Sequence, residues 1–363
     1  MGKMLEVKAN GVHIYNIMFE KDYGRLLEVF EEMETKNHRI CVVSDSNISR
    51  CLLEEVVQVL KPSAKKVVSY VFSAGEESKN LETVQGLYEY LILEKFDRND
   101  ILVALGGGVV GDLTGFAAAT YLRGIRFVQM PTSLLAMVDS SVGGKTGVDF
   151  LKYKNMVGAF HQPKAVYINL SVLKSLSEEH YFNGFGEVIK YGMIQDAEFL
   201  QWIKEHVEEI CQHDLEALVH VVYKSCFYKR EIVERDPNEK GERALLNFGH
   251  TLGHSIEKAS SFGLLHGQCV CLGMVAAAYI SMKRGYIKEE DLNSLEDLLK
   301  QLNIPVRING YDADEIIAGT KNDKKMEAGK IKFILLKEIG KAYIDHTVSD
   351  EEMKESLFYL MGK

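Results

Sequence analysis

Up to about residue 175 the chain alternates short β-branched runs with amphipathic stretches, and beyond that point the alternation stops. Candidate strands are 39–43, 66–72, 101–105, 126–130 and 165–168, with helical patterns such as 80–95 and 109–122 between them. Strand–helix–strand alternation implies a parallel sheet with helices on its faces. Ligands of such sheets bind outside the carboxyl ends of the strands. From Leu176 onward, 178–194, 197–211, 215–234, 246–259 and 267–284 all read as helices, and only 329–336 with 341–344 reads as a hairpin. The expected fold is therefore an α/β N-terminal domain with a Rossmann-like parallel sheet, residues 1–175, followed by a mostly α-helical C-terminal domain, residues 176–363. The boundary falls within 172–177. A cleft between two such domains is the default place for a small-ligand site.

Composition narrows the ligand. A hydrophobic content of 46% across 363 residues supports a sizeable core. The net charge of -9 argues against nucleic acid, whose phosphates need a basic face. It leaves room for a small anion, because a local cluster of Lys and Arg overrides the global field. The N-terminus has no long apolar core of a secretory signal, and the apolar stretch 269–282 is short of a membrane span. The six cysteines show no C-x-x-C spacing and most sit among apolar neighbours, as in a reducing compartment. A cytoplasmic protein without membrane contact is expected.

Two segments carry chemistry. The run Ile101-Leu102-Val103-Ala104-Leu105 leads into Gly106-Gly107-Gly108-Val109-Val110-Gly111-Asp112, which satisfies G-x-G-x-x-G between a predicted strand and a predicted helix. Missing Cβ atoms let a pyrophosphate approach the backbone, and the helix N-terminus offers it N–H groups. Asp45, just after an earlier strand, is the better candidate for a ribose. The second segment is Asn247-Phe248-Gly249-His250-Thr251-Leu252-Gly253-His254, followed by His266. His250 and His254, four apart on a predicted helix, share a face. Imidazoles suit zinc-like ions, and a catalytic site keeps three protein ligands and one open position. Glu187, in a predicted helix, offers the carboxylate. Basic residues recur where an anion would need them, at Arg123, Lys145, Lys154, Lys190, Lys229 and Arg243.

Over nearly its whole length the chain resembles the 3-dehydroquinate synthase family of sugar-phosphate cyclases. The likeness rests on Gly75-Glu76-Glu77-Ser78-Lys79, on the glycine run ending at Asp112, on Val138-Asp139-Ser140-Ser141-Val142-Gly143-Gly144-Lys145-Thr146, on Lys154-Asn155-Met156-Val157-Gly158-Ala159-Phe160, and on the segments 186–192 and 245–254. The resemblance implies that Glu187, His250 and His266 hold a divalent metal, zinc or cobalt, with His254 beside the substrate. It implies NAD contacts from Asp45, Glu76, Lys79, Gly107, Gly108, Asp112, Thr132, Ser133 and Lys154. Arg123, Asp139, Lys145, Asn155, Lys190, Lys229, Glu239, Arg243, Asn247 and Lys324 would surround the substrate, with the choice between Lys324 and Lys325 open. Tyr153, Ser177, Glu179 and Gln268 depart from the family pattern without removing a proposed ligand.

The implied substrate is 3-deoxy-D-arabino-heptulosonate 7-phosphate, and the implied product 3-dehydroquinate, formed by transient oxidation, phosphate elimination, re-reduction and intramolecular aldol closure. The nearest rival is 2-deoxy-scyllo-inosose synthase, which carries glutamate where this chain has Asn247 and lacks a match to Arg243. Both residues favour a carboxylated substrate. A glycerol-dehydrogenase-like oxidoreductase is the second rival, disfavoured by the dense basic set, and a non-catalytic binding protein the third. The oligomeric state is left open, a homodimer included.

Overall fold

Valine- and isoleucine-rich runs in the first half pair in register as neighbouring parallel strands. The computed structural model describes residues 2–151, 153–237, 239, 241–261, 263–321, 326–327 and 330–363. The chain forms two units, 1–176 and 177–363. In the first, β1 (Lys3–Ala9), β2 (Val12–Glu20), β3 (Arg39–Asp45), β4 (Lys66–Phe72), β5 (Ile101–Gly106), β6 (Arg126–Pro131) and β9 (Ala165–Asn169) build a seven-stranded sheet in the order β1-β2-β9-β6-β5-β3-β4. Only the β1–β2 pair is antiparallel. Strand β5 is buried along its whole length, which is why it reads as an unbroken apolar run instead of an alternating one. Helices α1 (Leu26–Glu32), α2 (Leu53–Leu60), α3 (Leu81–Leu93) and α4 (Gly108–Thr120) cover the sheet. A core of Val43, Leu87, Leu102, Leu113 and Phe127 lies under α3 and α4. The strand pair β7 (Lys145–Phe150) and β8 (Tyr153–Phe160) forms a separate antiparallel ribbon.

The sequence reading supplied five of the seven sheet strands. It missed the β1–β2 hairpin and the β7–β8 ribbon, whose glycines and polar residues hide the strand pattern.

The second unit comprises α5 (Glu178–Gln195), α6 (Ala197–Glu205), α7 (Val207–Cys211), α8 (Leu215–Arg235), α9 (His250–Ala259), α10 (His266–Lys283), α11 (Glu289–Gln301), α12 (Ala313–Lys321) and α13 (Asp350–Leu360). The strand pairs β10 (Met326–Glu327) with β11 (Lys330–Ile331) and β12 (Phe333–Glu338) with β13 (Lys341–Asp345) complete it. Helix α10, apolar nearly all round, packs against α5, α9, α11, α13 and β12 and forms the middle of the unit. None of the helices among the described residues is long and apolar enough to cross a membrane.

Two expected helices are corrected. The stretch 197–211 breaks at His206 (φ -118°, ψ 24°) into α6 and α7. The stretch 246–259 is helical only from His250, because Gly249 sits in the left-handed region at φ 79° and follows a 3-10 turn over Glu242–Asn247.

Candidate active site

Three histidines and a glutamate meet where α5, α9 and α10 cross, and glycines bring the helices that close. A Cβ on Gly186 would lie 2.6 Å from the Gly267 carbonyl oxygen, and one on Gly253 would lie 2.8 Å from that of Cys269. A Cβ on Gly267 would overlap the backbone carbonyl of Asn183 outright. Asn183 also accepts from the Gly267 N–H through its side-chain oxygen at 2.6 Å, so α5 caps the first turn of α10. Glu187 follows Gly186, His254 follows Gly253 and His266 precedes Gly267, while His250 follows Gly249, whose Cβ would lie 2.5 Å from the Val270 carbonyl oxygen. Backbone contact is what lets their short side chains converge.

Glu187 is fully buried. Its Oε1 lies 3.3 Å from His250 Nε2 and 3.7 Å from His266 Nε2, yet it completes a hydrogen bond with neither. Its Oε2 receives the Lys190 ammonium. The far nitrogens of both imidazoles are held: His250 Nδ1 lies 3.1 Å from the Phe248 carbonyl, and His266 Nδ1 lies 3.2 Å from Glu257 Oε2. Such outer partners fix the tautomer of a metal-ligating histidine and aim its other nitrogen at the ion. His254 joins the group, its ring 5.2 Å from that of His250 and 5.7 Å from that of His266. One nitrogen from each of the three histidines lies within 4.8 Å of the others. An orphaned buried carboxylate oxygen beside two oriented imidazoles fits a zinc-like or cobalt ion.

The electrostatics follow from burial and pairing. Burial alone would raise the Glu187 carboxyl, but Lys190 and then His250 hold it well below the ordinary carboxylate range. Burial drives His250 down to about 3 against the pull of Glu187. For His266, burial is outweighed by the carboxylates of Glu187 and Glu257 beside it, and it is pushed up to about 9.

The residues expected around the substrate divide between the two units. In the helical unit Lys190 and Lys229 are buried, and the 3-10 turn ahead of α9 carries buried Arg243 and half-buried Asn247. Arg243 Nη1 donates to the Pro237 carbonyl at 2.9 Å, and Asn247 Nδ2 reaches Glu239 Oε1 at 3.3 Å. Arg243 and Asn247 thus share one 3-10 turn ahead of α9. Lys324 and Lys325 lie outside the described residues. Gln268, which departs from the family pattern, accepts from the Leu265 N–H at 2.9 Å and so caps α10.

In the sheet unit, Asp45, the glycine run and Thr132 stand at the carboxyl ends of adjacent strands β3, β5 and β6. Gly107 caps α4 without a side chain, leaving that terminus open to an anion. A Cβ on Gly108 would press on Ser140 Oγ at 3.3 Å, so the cradle is shaped for bare backbone. Gly106 and Gly111 serve packing instead, against Val110 and Gln129. Lys79 donates to Asp112 Oδ2 at 2.7 Å and to Asn155 Oδ1 at 2.6 Å, and Lys154 pairs with Glu76 at 3.8 Å. Asn155, expected at the substrate, thus shares the Lys79 ammonium with Asp112. Arg123, Lys145 and Asn155 are exposed, and Asp139 and Ser133 are half-buried. Sequence reasoning missed Glu257, although its place seven residues after His250 puts both on one helical stripe.

The family models for the 3-dehydroquinate synthase N-terminal and C-terminal regions match residues 69–183 and 184–326. The chain is 43% identical over 350 residues to a 3-dehydroquinate synthase from Acetivibrio thermocellus, covering 96% of this chain and 97% of that protein. Among solved structures it is similar to a 2-epi-5-epi-valiolone synthase from Streptomyces hygroscopicus with NAD+ and Zn2+ bound, at TM-score 0.88 and 27% identity, covering 98% of this chain and 99% of that one. A 2-deoxy-scyllo-inosose synthase complexed with carbaglucose-6-phosphate, NAD+ and Co2+ aligns at TM-score 0.89 over 99% of this chain and 100% of its own. At 24% identity it supports the fold alone.

Proposed function

The chain belongs to the 3-dehydroquinate synthase family, and we propose that it converts 3-deoxy-D-arabino-heptulosonate 7-phosphate to 3-dehydroquinate and phosphate, with NAD and a divalent zinc or cobalt ion as resident cofactors. The observation that carries this reading is the buried Glu187 Oε1, facing two imidazoles whose other nitrogens are already held. When bound, the nicotinamide supplies reversible two-electron chemistry, and the ion supplies a Lewis acid that lowers the pKa of a substrate hydroxyl.

Glu187, His250 and His266 hold the ion in this reading, and His254 lies beside the substrate. Arg243 takes the substrate carboxylate with its planar guanidinium, and Asn247, bridged to Glu239, fixes nearby hydroxyls. Lys190, Lys229, Arg123, Lys145 and one of Lys324 or Lys325 neutralise phosphate charge, while Asp139 and Asn155 orient the ring. Gly107 and Gly108 receive the pyrophosphate, with Glu76, Lys79, Asp112, Thr132, Ser133 and Lys154 around the dinucleotide. A cytoplasmic setting accords with six cysteines that form no disulfide.

Asp45 sets the cofactor. Its Oδ1 accepts the N–H groups of Asn47 at 2.8 Å and Ile48 at 3.0 Å, which pins the carboxylate at the end of β3. A pinned carboxylate accepts ribose hydroxyls and repels a 2′-phosphate. NAD should bind at least about tenfold tighter than NADP, a gap of roughly 1.4 kcal/mol. Equal affinities by calorimetry would contradict the assignment.

The function itself is tested by following phosphate release and NADH absorbance together. Phosphate should appear stoichiometrically with cyclised product and without net NADH. Net NADH accumulation would make the chain an alcohol dehydrogenase. Cyclisation of glucose 6-phosphate, with no reaction of the heptulosonate phosphate, would move it to the 2-deoxy-scyllo-inosose synthases.

A further inference from the structure

We infer that Glu257 is a positioning residue of the metal centre, one that aims His266 and sets how tightly the ion is held; this rests on reading Glu187, His250 and His266 as the ligands. Glu257 is only 5% exposed, and a carboxylate so buried is costly to keep unless it is bound to a partner. Its Oε2 lies 3.2 Å from His266 Nδ1. That contact makes Nδ1 the donor nitrogen and leaves the Nε2 lone pair on the side of Glu187. His250 is oriented differently, by the Phe248 backbone carbonyl. The two histidine ligands are thus unequal. One leans on a neutral dipole, and the other leans on a full negative charge.

Charge counting points the same way. A divalent ion with Glu187, two neutral imidazoles and the Lys190 ammonium against Glu187 would leave a buried excess of positive charge. Glu257 is the second buried carboxylate at these ligands and offsets part of that excess. Position 257 reaches the site because α9 presents His250, His254 and Glu257 along one stripe, facing α10.

The test is an apparent metal dissociation constant, obtained on the full chain by chelator competition with Zn2+ at fixed pH, alongside the visible spectrum of the Co2+-loaded protein. Removing such an outer partner costs about 10–100-fold in metal affinity. Glu257→Ala should lose affinity in that range. Glu257→Gln, which keeps an acceptor of the same shape but drops the charge, should lose less, and both should shift the Co2+ spectrum. Glu257→Asp should recover part of the affinity, which a merely structural role would not predict. If Glu257→Ala fails to fold, the near-isosteric Glu257→Gln decides. Unchanged affinity and spectrum in Glu257→Gln, while His250→Ala abolishes binding, would overturn this inference and leave the functional reading standing. Failure of the unmodified chain to bind Zn2+ or Co2+ would overturn both.

Discussion

His250→Ala should strip the metal from the protein and lower turnover by at least about a thousandfold, while the seven-stranded sheet unit keeps its fold. The imidazole is one of the two facing Glu187 Oε1, and a catalytic ion needs three protein ligands. With only Glu187 and His266 left, the ion is not retained at ordinary concentrations. Lewis-acid assistance of several kcal/mol then disappears, and roughly 4 kcal/mol corresponds to a thousandfold in rate. The fold cost is small, because Lys190 still neutralises Glu187 after the ring is gone. Elemental analysis of the purified variant and a phosphate-release assay check both halves. Stoichiometric metal together with normal turnover would sink the ligand assignment.

Gly267→Ala should have the largest effect on folding. Its new methyl would occupy the place of the Asn183 backbone carbonyl, and no rotamer change can relieve a clash with backbone. Overpacking of this kind costs about 1–3 kcal/mol, and more where the obstacle is rigid. Pushing α5 away would also break the Asn183 cap on α10 and displace Glu187, one turn further along α5. Urea denaturation should therefore show at least about 3 kcal/mol of destabilisation. Metal affinity should fall too, although no ligand has been changed. A variant with unmodified stability and affinity would mean that α5 and α10 do not touch here.

How much of this was legible in the sequence varies with the range of the forces involved. Strands β3, β5, β6 and β9 announce themselves because strands buried on both faces must be apolar, and the half-buried edge strand β4 shows through its β-branched residues. The ribbon β7–β8 does not, since it exposes Met156 and Phe160 and its glycines break the alternation of apolar and polar residues. The start of α9 was misplaced by one turn because a glycine at φ 79° leaves no mark in the periodicity. The histidines were visible as a cluster and Glu187 as a carboxylate on a predicted helix, but only the resemblance joined it to His250 and His266, because nothing local ties position 187 to 250. Glu257 carried the right helical spacing and still escaped notice. A glutamate on a helix usually faces water, and only the packing of α10 shows that this one does not.

The three proposed ligands come from three helices, α5, α9 and α10, at positions 187, 250 and 266. An ion held by all of them is a cross-link as well as a reagent, fastening distant parts of the chain to one point. Because the unfolded chain has no such point, every increment of free metal favours the folded form, by roughly 4 kcal/mol at a thousandfold excess over the dissociation constant. The working lifetime of the protein is thereby tied to metal supply. A cell short of the ion would lose this activity twice, first as idle sites and then as chains that open and are degraded sooner.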